Sequence, residues 1–326
     1  MTSPKKIIVK DESSGGRLDI FLSDKLEISR SQVQKMIDKN QIDINGHAPK
    51  KYGEKLGQGD IITLVQPKEE MARIQKRIES RGTKNADETQ ADPMIIFESD
   101  DYLIVNKPSG LLTHPTEAKE ENSLSGWLLK KYPEIKIIGE DPMRPGIVHR
   151  LDKEASGLLV IARTQQMFRH LKEQFKNRTI YKEYDALVHG KIEREEGSID
   201  FPIARSETSE KMAAIPQTKK GLPNETGKEA KTEFFVEKHF INFTLLKVKI
   251  HTGRMHQIRA HMLAYNHPVV GDPLYFQKKQ KRDWDKKCGR LFLHSARIGF
   301  KNLDGEFVEY ETELPNKLRF FLTLLT

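Results

Sequence analysis

One short segment of the chain combines charged side chains with residues that shape a turn and a strand. Residues 149–157 read His-Arg-Leu-Asp-Lys-Glu-Ala-Ser-Gly, and the apolar run Leu-Leu-Val-Ile-Ala follows at 158–162. A turn that leads into a strand can hold a polar side chain rigidly at the mouth of a pocket. Asp152, with Arg150 beside it, is therefore the first candidate for catalysis. The alternative is an ordinary surface turn, because most charged residues are exposed and structural.

The patterns around this segment predict the domain that positions it. Strand-like runs at 102–105, 157–162 and 243–250 interleave with helical runs such as 165–176, without regular alternation. This order favours an α+β domain built on a large, mainly antiparallel mixed sheet. We expect that domain to span residues 94–326.

A smaller unit is predicted on the N-terminal side, over residues 15–66. Apolar residues recur at helical spacing over 17–26, and Ser29 can cap a second helix. Short alternating segments on both sides of the Asn45-Gly46 turn then predict strands. Residues 67–93 are dominated by charged and polar side chains and predict a flexible linker, because they bury too little apolar surface to fold.

The composition narrows the classes of protein and of partner. The chain has 326 residues and a formal charge of +8, and a basic surface of this kind attracts polyanions. Cys288 is the only cysteine, which excludes an internal disulfide and a cysteine-based zinc site and fits a reducing cytoplasm. The first residues lack the apolar core of a secretory signal, and no apolar run is long enough to span a membrane. We therefore expect a soluble, cytoplasmic protein.

Four segments of the larger unit resemble the signature of the RluA/RluD-like pseudouridine synthases, enzymes that isomerise uridine in RNA. They are the Asn-Lys-Pro-Ser-Gly turn at 106–110, the segment at 149–157, the strand-like run at 181–190 and the Gly-Arg-Met-His-Gln-Ile-Arg-Ala-His run at 253–261. The segment at 149–157 is the most specific, and it departs from the family pattern at Ala155, where threonine is usual. The resemblance implies the pseudouridine synthase fold.

The resemblance also implies catalytic roles for single residues. Asp152 would be the essential carboxylate, which either adds to the sugar carbon or removes a ribose proton. Arg259 would pair with Asp152 and keep it ionised and oriented, with Arg254 as the alternative partner. Tyr184 would stack on the target base while its hydroxyl approaches the reacting atoms. Arg150 would fill the space that the extruded base leaves.

The smaller unit resembles the alpha-L RNA-binding domain, a module named after a small-subunit ribosomal protein that precedes the catalytic domain in RluD-like synthases. Its second helix would then turn a basic face toward RNA phosphates, although the same face alone is typical of an ordinary solvated helix. The Lys-Pro turn and Arg254 would add contacts near the aspartate segment. The predicted RNA-binding residues are Arg30, Gln34, Lys35, Lys39, Lys107 and Arg254.

These inferences predict an RNA pseudouridine synthase, with large-subunit ribosomal RNA favoured over transfer RNA as its substrate. Isomerisation of uridine balances without a redox cofactor, nucleotide or metal, and the three histidines within 251–261 lack a zinc-binding pattern. We expect no obligate protein partner. Two other functions stay open: a glycosidase, for which Asp152 lacks a marked acidic partner, and a non-catalytic RNA-binding factor for ribosome assembly.

Overall fold

The chain divides into two units, Met1–Asn85 and Ala86–Thr326. The computed structural model describes residues 5–9, 15–26, 29–38, 41–64, 92–115, 122–206, 211–215, 227–277 and 282–325. Residues 67–91 of the predicted linker lie outside these ranges. Within them, no helix is long and apolar enough to cross a membrane.

In the first unit, two helices share a core with a small antiparallel sheet. Its elements in chain order are β1 (Lys5–Ile8), α1 (Leu18–Leu26), α2 (Arg30–Asp38), β2 (Ile42–Ile44) and β3 (Ile61–Leu64). β3 lies between β1 and β2 and is antiparallel to both. The core includes Leu18, Leu22, Val33 and Ile62, which are completely buried. The unit contains the two helices and two strands that the sequence predicts, and it adds β1, which the sequence patterns did not single out.

A buried carboxylate joins the two helices of this unit. Asp19, in the first turn of α1, is completely buried and accepts hydrogen bonds from Arg17 and Arg30 at 3.0 and 3.1 Å. The bond with Arg17, more than the bond with Arg30, lowers the pKa of Asp19 to about 2. Arg30, the first residue of α2, therefore has a structural partner although about half of its side chain is exposed.

Replacing Asp19 by asparagine should destabilise the first unit at neutral pH but not in strong acid. The pKa of this carboxyl is about 2 in the folded chain, against 3.8 ordinarily. Its ion pairs therefore stabilise the fold fully at pH values above 3.8. That stabilisation disappears as the pH falls through the folded value. Hydrogen exchange of the α1 amides in both proteins, at neutral pH and near pH 2, measures the difference. The same difference at both pH values would contradict this explanation.

The second unit is built on one large sheet. Its elements are β4 (Met94–Glu98), β5 (Tyr102–Lys107), α3 (Leu124–Lys131), a 3₁₀ helix (Pro133–Ile137), β6 (Ser156–Ala162), α4 (Gln165–Lys176), β7 (Tyr181–His189), β8 (Glu196–Ile199), β9 (Ile203–Arg205), β10 (Met212–Ala214), β11 (Thr232–His239), β12 (Phe243–Ile250), α5 (Gln257–Ala264), α6 (Asp283–Cys288), β13 (Leu293–Lys301), β14 (Phe307–Glu311) and α7 (Asn316–Thr323). Among the described residues, the strand order is β4-β5-β6-β13-β7-β12-β11-β8, with β14 beside β13. The β6–β13 pair is parallel and its neighbours are antiparallel, while β9 and β10 form a separate small sheet. The prediction of an α+β domain with a large, mainly antiparallel mixed sheet is confirmed.

Strand β6 is buried on both faces, and it fixes the segment that precedes it. All seven of its residues are buried, because β5 and β13 flank it and both faces of the sheet are covered. Leu159 and Ile161 belong to the core on one face, whereas Leu158 and Val160 pack with α4 on the other, as strand alternation requires. The loop that holds Asp152 enters this strand directly, so its C-terminal end has little freedom to move.

Candidate active site

His149 fastens the start of the aspartate loop, residues 149–155, to the strand that follows. Its Nε2 accepts a hydrogen bond from the Val160 amide at 3.0 Å, and its ring stacks on Phe175 with centroids 4.8 Å apart. Burial lowers the pKa of His149 to about 3, so the ring is neutral at physiological pH and can accept this bond.

The Lys-Pro turn fastens the other end of the aspartate loop. Lys107 is completely buried, and its Nζ donates to the carbonyls of Pro108, Leu111 and Ala155 at 2.7 to 2.8 Å. Burial lowers the pKa of Lys107 to about 7, but three close acceptors favour the ammonium form, because only that form has three N–H donors. The prediction that Lys107 contacts an RNA phosphate is wrong, since backbone carbonyls enclose its amine beneath the surface.

A buried arginine orients the carboxylate of Asp152. Arg259 lies on α5, and its Nη1 donates to Asp152 Oδ2 at 3.1 Å and to Glu154 Oε2 at 3.2 Å. Its Nε and Nη2 donate to the two oxygens of Asp272 at 2.7 and 2.8 Å. Asp272 therefore holds the guanidinium from one side, while the opposite edge meets the aspartate loop. The structure thus brings together the two residues that the resemblance pairs.

Asp272 is a site residue that the sequence interpretation missed. Its Oδ1 also accepts hydrogen bonds from the backbone amides two and three residues later, at 2.8 and 2.9 Å, so the carboxylate is fixed to the backbone. The glycine before it, Gly271, is the sequence signal that could have pointed to Asp272. Gly271 has a φ of 74°, and it lies so close to the backbone carbonyl of Arg290 that a β-carbon would not fit. Glu154 was also missed, although it lies inside the aspartate segment.

Tyr184 lies on β7 and lines the same cavity as Asp152. It shares one face of β7 with Ala186 and Val188, as the alternation predicts, and it is 6% exposed. Burial and, to a lesser extent, the charge of Asp152 raise the pKa of Tyr184. The phenol is therefore protonated at neutral pH and can donate a hydrogen bond to a bound molecule.

A cavity of about 540 Å³ opens beside these residues. Its wall contains Asp152, Tyr184, His256 and Arg259, and it also contains the cationic residues Arg144, Arg150, Lys176, Arg178, Lys182 and Arg254. The volume lies within the range of small-molecule sites. A carboxylate surrounded by cations suits the sugar and phosphates of a nucleotide.

Two predicted contact residues lie at this cavity in different environments. Arg150 is exposed and makes no hydrogen bond or ion pair with a residue in the described ranges. Arg254 is half-buried, and its Nε donates to the Glu229 carbonyl at 3.0 Å. Arg150 is therefore free to move toward a bound molecule, while Arg254 is held at the wall.

The predicted RNA-binding residues of α2 are only partly described. Arg30 is exposed and paired with Asp19, and Gln34 is half-buried. The side chain of Lys35 and the whole of Lys39 lie outside the described part of the chain. The RNA-binding face of this helix stays a prediction.

Comparison with known proteins decides the family. Residues 101–264 match the family model of RNA pseudouridylate synthase, and residues 16–62 match that of the S4 domain. The chain belongs to the RNA pseudouridine synthase family. The synthase is 34% identical to an uncharacterized RNA pseudouridine synthase of Bacillus subtilis. The match covers 96% of the synthase and 95% of the Bacillus protein. It is 35% identical to ribosomal large subunit pseudouridine synthase D of Yersinia pestis, over 82% of its own chain and 75% of the relative.

A solved structure shares the fold of the synthase. Human RNA pseudouridylate synthase domain containing 1 has a TM-score of 0.55 and 27% identity, over 69% of the synthase and 84% of the human chain. The predicted family, fold class and enzyme class are confirmed, and the S4 match falls on the small unit predicted to bind RNA. The synthase is therefore an isomerase that acts on RNA.

Proposed function

We propose that the synthase converts uridine to pseudouridine in large-subunit ribosomal RNA, with Asp152 as its essential catalytic residue. The observation that carries the catalytic part is the 3.1 Å bond from buried Arg259 to Asp152 inside the cavity. This bond engages Oδ2 and leaves Oδ1 without a hydrogen bond from any described residue. The S4 domain and the name of the Yersinia relative support the substrate.

The reaction balances within the nucleotide. The bond between ribose C1′ and uracil N1 breaks, the base turns, and C1′ joins C5, while N1 gains a proton in place of the one that C5 loses. Asp152 acts on the ribose, either by adding to C1′ or by removing the neighbouring 2′-hydrogen. Tyr184 supports the detached uracil with its ring and donates a hydrogen bond to it.

Access to C1′ requires the target nucleotide to leave its stack. Arg150 fills the vacated space, because its exposed guanidinium has no partner among the described residues and can stack on the neighbouring bases. Arg254, with the other cations of the cavity, binds the phosphates beside the target.

We assign residues 15–66 to the RNA-binding domain, 67–93 to a linker and 94–326 to the catalytic domain. The S4 match at 16–62 and the synthase match at 101–264 support this division, since each falls within one assigned domain. Ribosomal RNA as the substrate implies a cytoplasmic location.

Pseudouridine mapping on RNA from cells that lack the synthase tests both parts of the proposal. Ribosomal and transfer RNA are incubated separately with the purified synthase and with Asp152→Asn, and new pseudouridines are located by reverse-transcription stops after carbodiimide treatment. The proposal expects sites in large-subunit ribosomal RNA that only the unsubstituted synthase forms. Sites confined to transfer RNA would overturn the substrate, and an active Asp152→Asn would overturn the catalytic role. Binding without modification of any RNA from its own cell would favour an assembly factor.

The double substitution Arg30→Ala and Lys35→Ala should weaken binding to ribosomal RNA about tenfold or more and flatten its salt dependence, because it removes two phosphate contacts. Filter binding over a range of salt concentrations measures both effects. Arg17→Ala is the matched control, since it also removes a partner of the buried Asp19. Equal losses in the two proteins would mean that Arg30 acts by holding Asp19 and not by contacting RNA.

A further inference from the structure

His256 precedes α5 in an uncommon backbone conformation. Its φ of 53° and ψ of 23° are left-handed, a region that residues other than glycine seldom occupy and that recurs at functional sites. The imidazole lines the cavity, and its Nε2 lies 4.0 Å from Asp152 Oδ1. That distance is too long for a hydrogen bond. No other acceptor among the described residues lies at Nε2.

Hydrogen bonds behind the ring determine which nitrogen carries the proton. The Met212 amide donates to Tyr275 Oη at 2.7 Å, and Tyr275 Oη lies 3.0 Å from His256 Nδ1. Tyr275 is 1% exposed, and Nδ1 is the one acceptor that the described residues offer to its hydroxyl proton. The hydroxyl therefore donates to Nδ1. Burial lowers the pKa of His256, so the ring is neutral and its single proton lies on Nε2.

The Nε2–H donor faces the free oxygen of Asp152 across a gap. Arg259 binds Oδ2, which leaves Oδ1 to act on the ribose. An atom that reacts with Oδ1 must approach to about 3 Å. His256 Nε2–H lies 4.0 Å from Oδ1, so it can then reach an oxygen on the carbon next to the reacting atom. On a ribose attacked at C1′, that neighbour is the 2′-oxygen.

We propose that His256 is a further catalytic residue, which donates a hydrogen bond from Nε2 to the 2′-oxygen of the target ribose. The inference rests on the proposed function, in which Asp152 acts on that ribose. The bond holds the sugar against Oδ1. It also makes the synthase select ribose over deoxyribose, because the 2′-hydroxyl is the group by which proteins tell RNA from DNA.

Two substitutions of His256 distinguish the role of Nδ1 from the role of Nε2. In His256→Asn, the amide oxygen takes the place of Nδ1 and accepts from Tyr275, but no donor replaces Nε2–H. In His256→Gln, the longer side chain brings an amide N–H to the position of Nε2. The asparagine variant therefore loses the proposed contact, and the glutamine variant keeps it.

Each protein is assayed on an RNA fragment that carries the mapped uridine and on the same fragment with 2′-deoxyuridine at that position. We expect His256→Asn to lower kcat/KM on the RNA by roughly 10- to 100-fold, the loss of one strong hydrogen bond. The deoxy fragment has no 2′-oxygen to accept this hydrogen bond, so the change in kcat/KM on it should be under about 3-fold. His256→Gln should recover most of the activity on the RNA.

Equal losses on the two fragments would overturn the inference and indicate a contact with uracil or a structural role. A glutamine variant no better than the asparagine variant would overturn it too. Tyr275→Phe is the second route if His256→Asn does not fold, because it removes the hydroxyl that fixes the His256 proton. This variant should lose part of the preference for ribose, and an unchanged preference would count against the inference. An unsubstituted synthase that modifies no RNA would instead contradict the proposed function.

Discussion

Asp152→Asn is expected to lower kcat/KM for pseudouridine formation by about 10⁴-fold or more, the loss typical of removing an essential catalytic group. Asparagine has the same shape and can still accept a hydrogen bond from Arg259 through its amide oxygen, so the cavity should keep its form. It lacks the negative charge with which Asp152 adds to the sugar or removes a proton. Single-turnover assays on the mapped RNA measure this loss, and thermal unfolding shows whether the variant is folded.

Glu154→Gln is the matched control for this substitution. Both carboxylates accept from the same nitrogen of Arg259, at 3.1 Å for Asp152 and 3.2 Å for Glu154. Asp152 lines the cavity with 14% of its side chain exposed, whereas Glu154 is not among the residues that line it and is 33% exposed. Glu154→Gln should therefore stay within about tenfold of the unsubstituted synthase. Comparable losses in the two variants would show that both act only by orienting Arg259, and Asp152 would lose its assigned role.

Local patterns in the sequence were sufficient to predict those parts of the fold that depend on contacts between residues close together in the chain. The alternation in residues 181–190 predicted the face of β7 that carries Tyr184, because side chains of a strand alternate between its faces. The mixed sheet followed from the interleaving of strand-like and helical runs. The parallel pairing of β6 with β13 did not follow, because the two strands are more than a hundred residues apart and no pattern specifies their register.

The site was predictable only as far as the family motifs reach. They paired Asp152 with Arg259, but they gave no reason to expect Asp272 behind the guanidinium, because that contact depends on how a later loop folds. Lys107 was misread for a related reason. A lysine in a Pro-Gly turn is usually solvated, and here neighbouring turns direct their carbonyls inward around its amine.

Arg259→Ala should destabilise the catalytic unit as well as inactivate it. Asp272 is 1% exposed, and without its partner its charge would be buried and unpaired. Losing one partner of a buried pair costs about 3 to 5 kcal/mol in the free energy of unfolding. Urea unfolding of the alanine variant measures this cost. A loss below about 1 kcal/mol would mean that Asp272 finds another partner or is neutral.

Arg259→Lys separates the catalytic contribution of the arginine from its contribution to stability. A lysine ammonium can still neutralise Asp272, so most of the stability should remain. One nitrogen cannot also reach Asp152 in the direction that Nη1 takes, because only the planar guanidinium has donors on opposite edges. We expect kcat to fall by about 10²- to 10³-fold with little change in KM, since Arg259 has no exposed surface through which it could bind RNA. Full activity in the lysine variant would mean that positive charge alone suffices, and the orientation of Asp152 by Arg259 would then have no catalytic value.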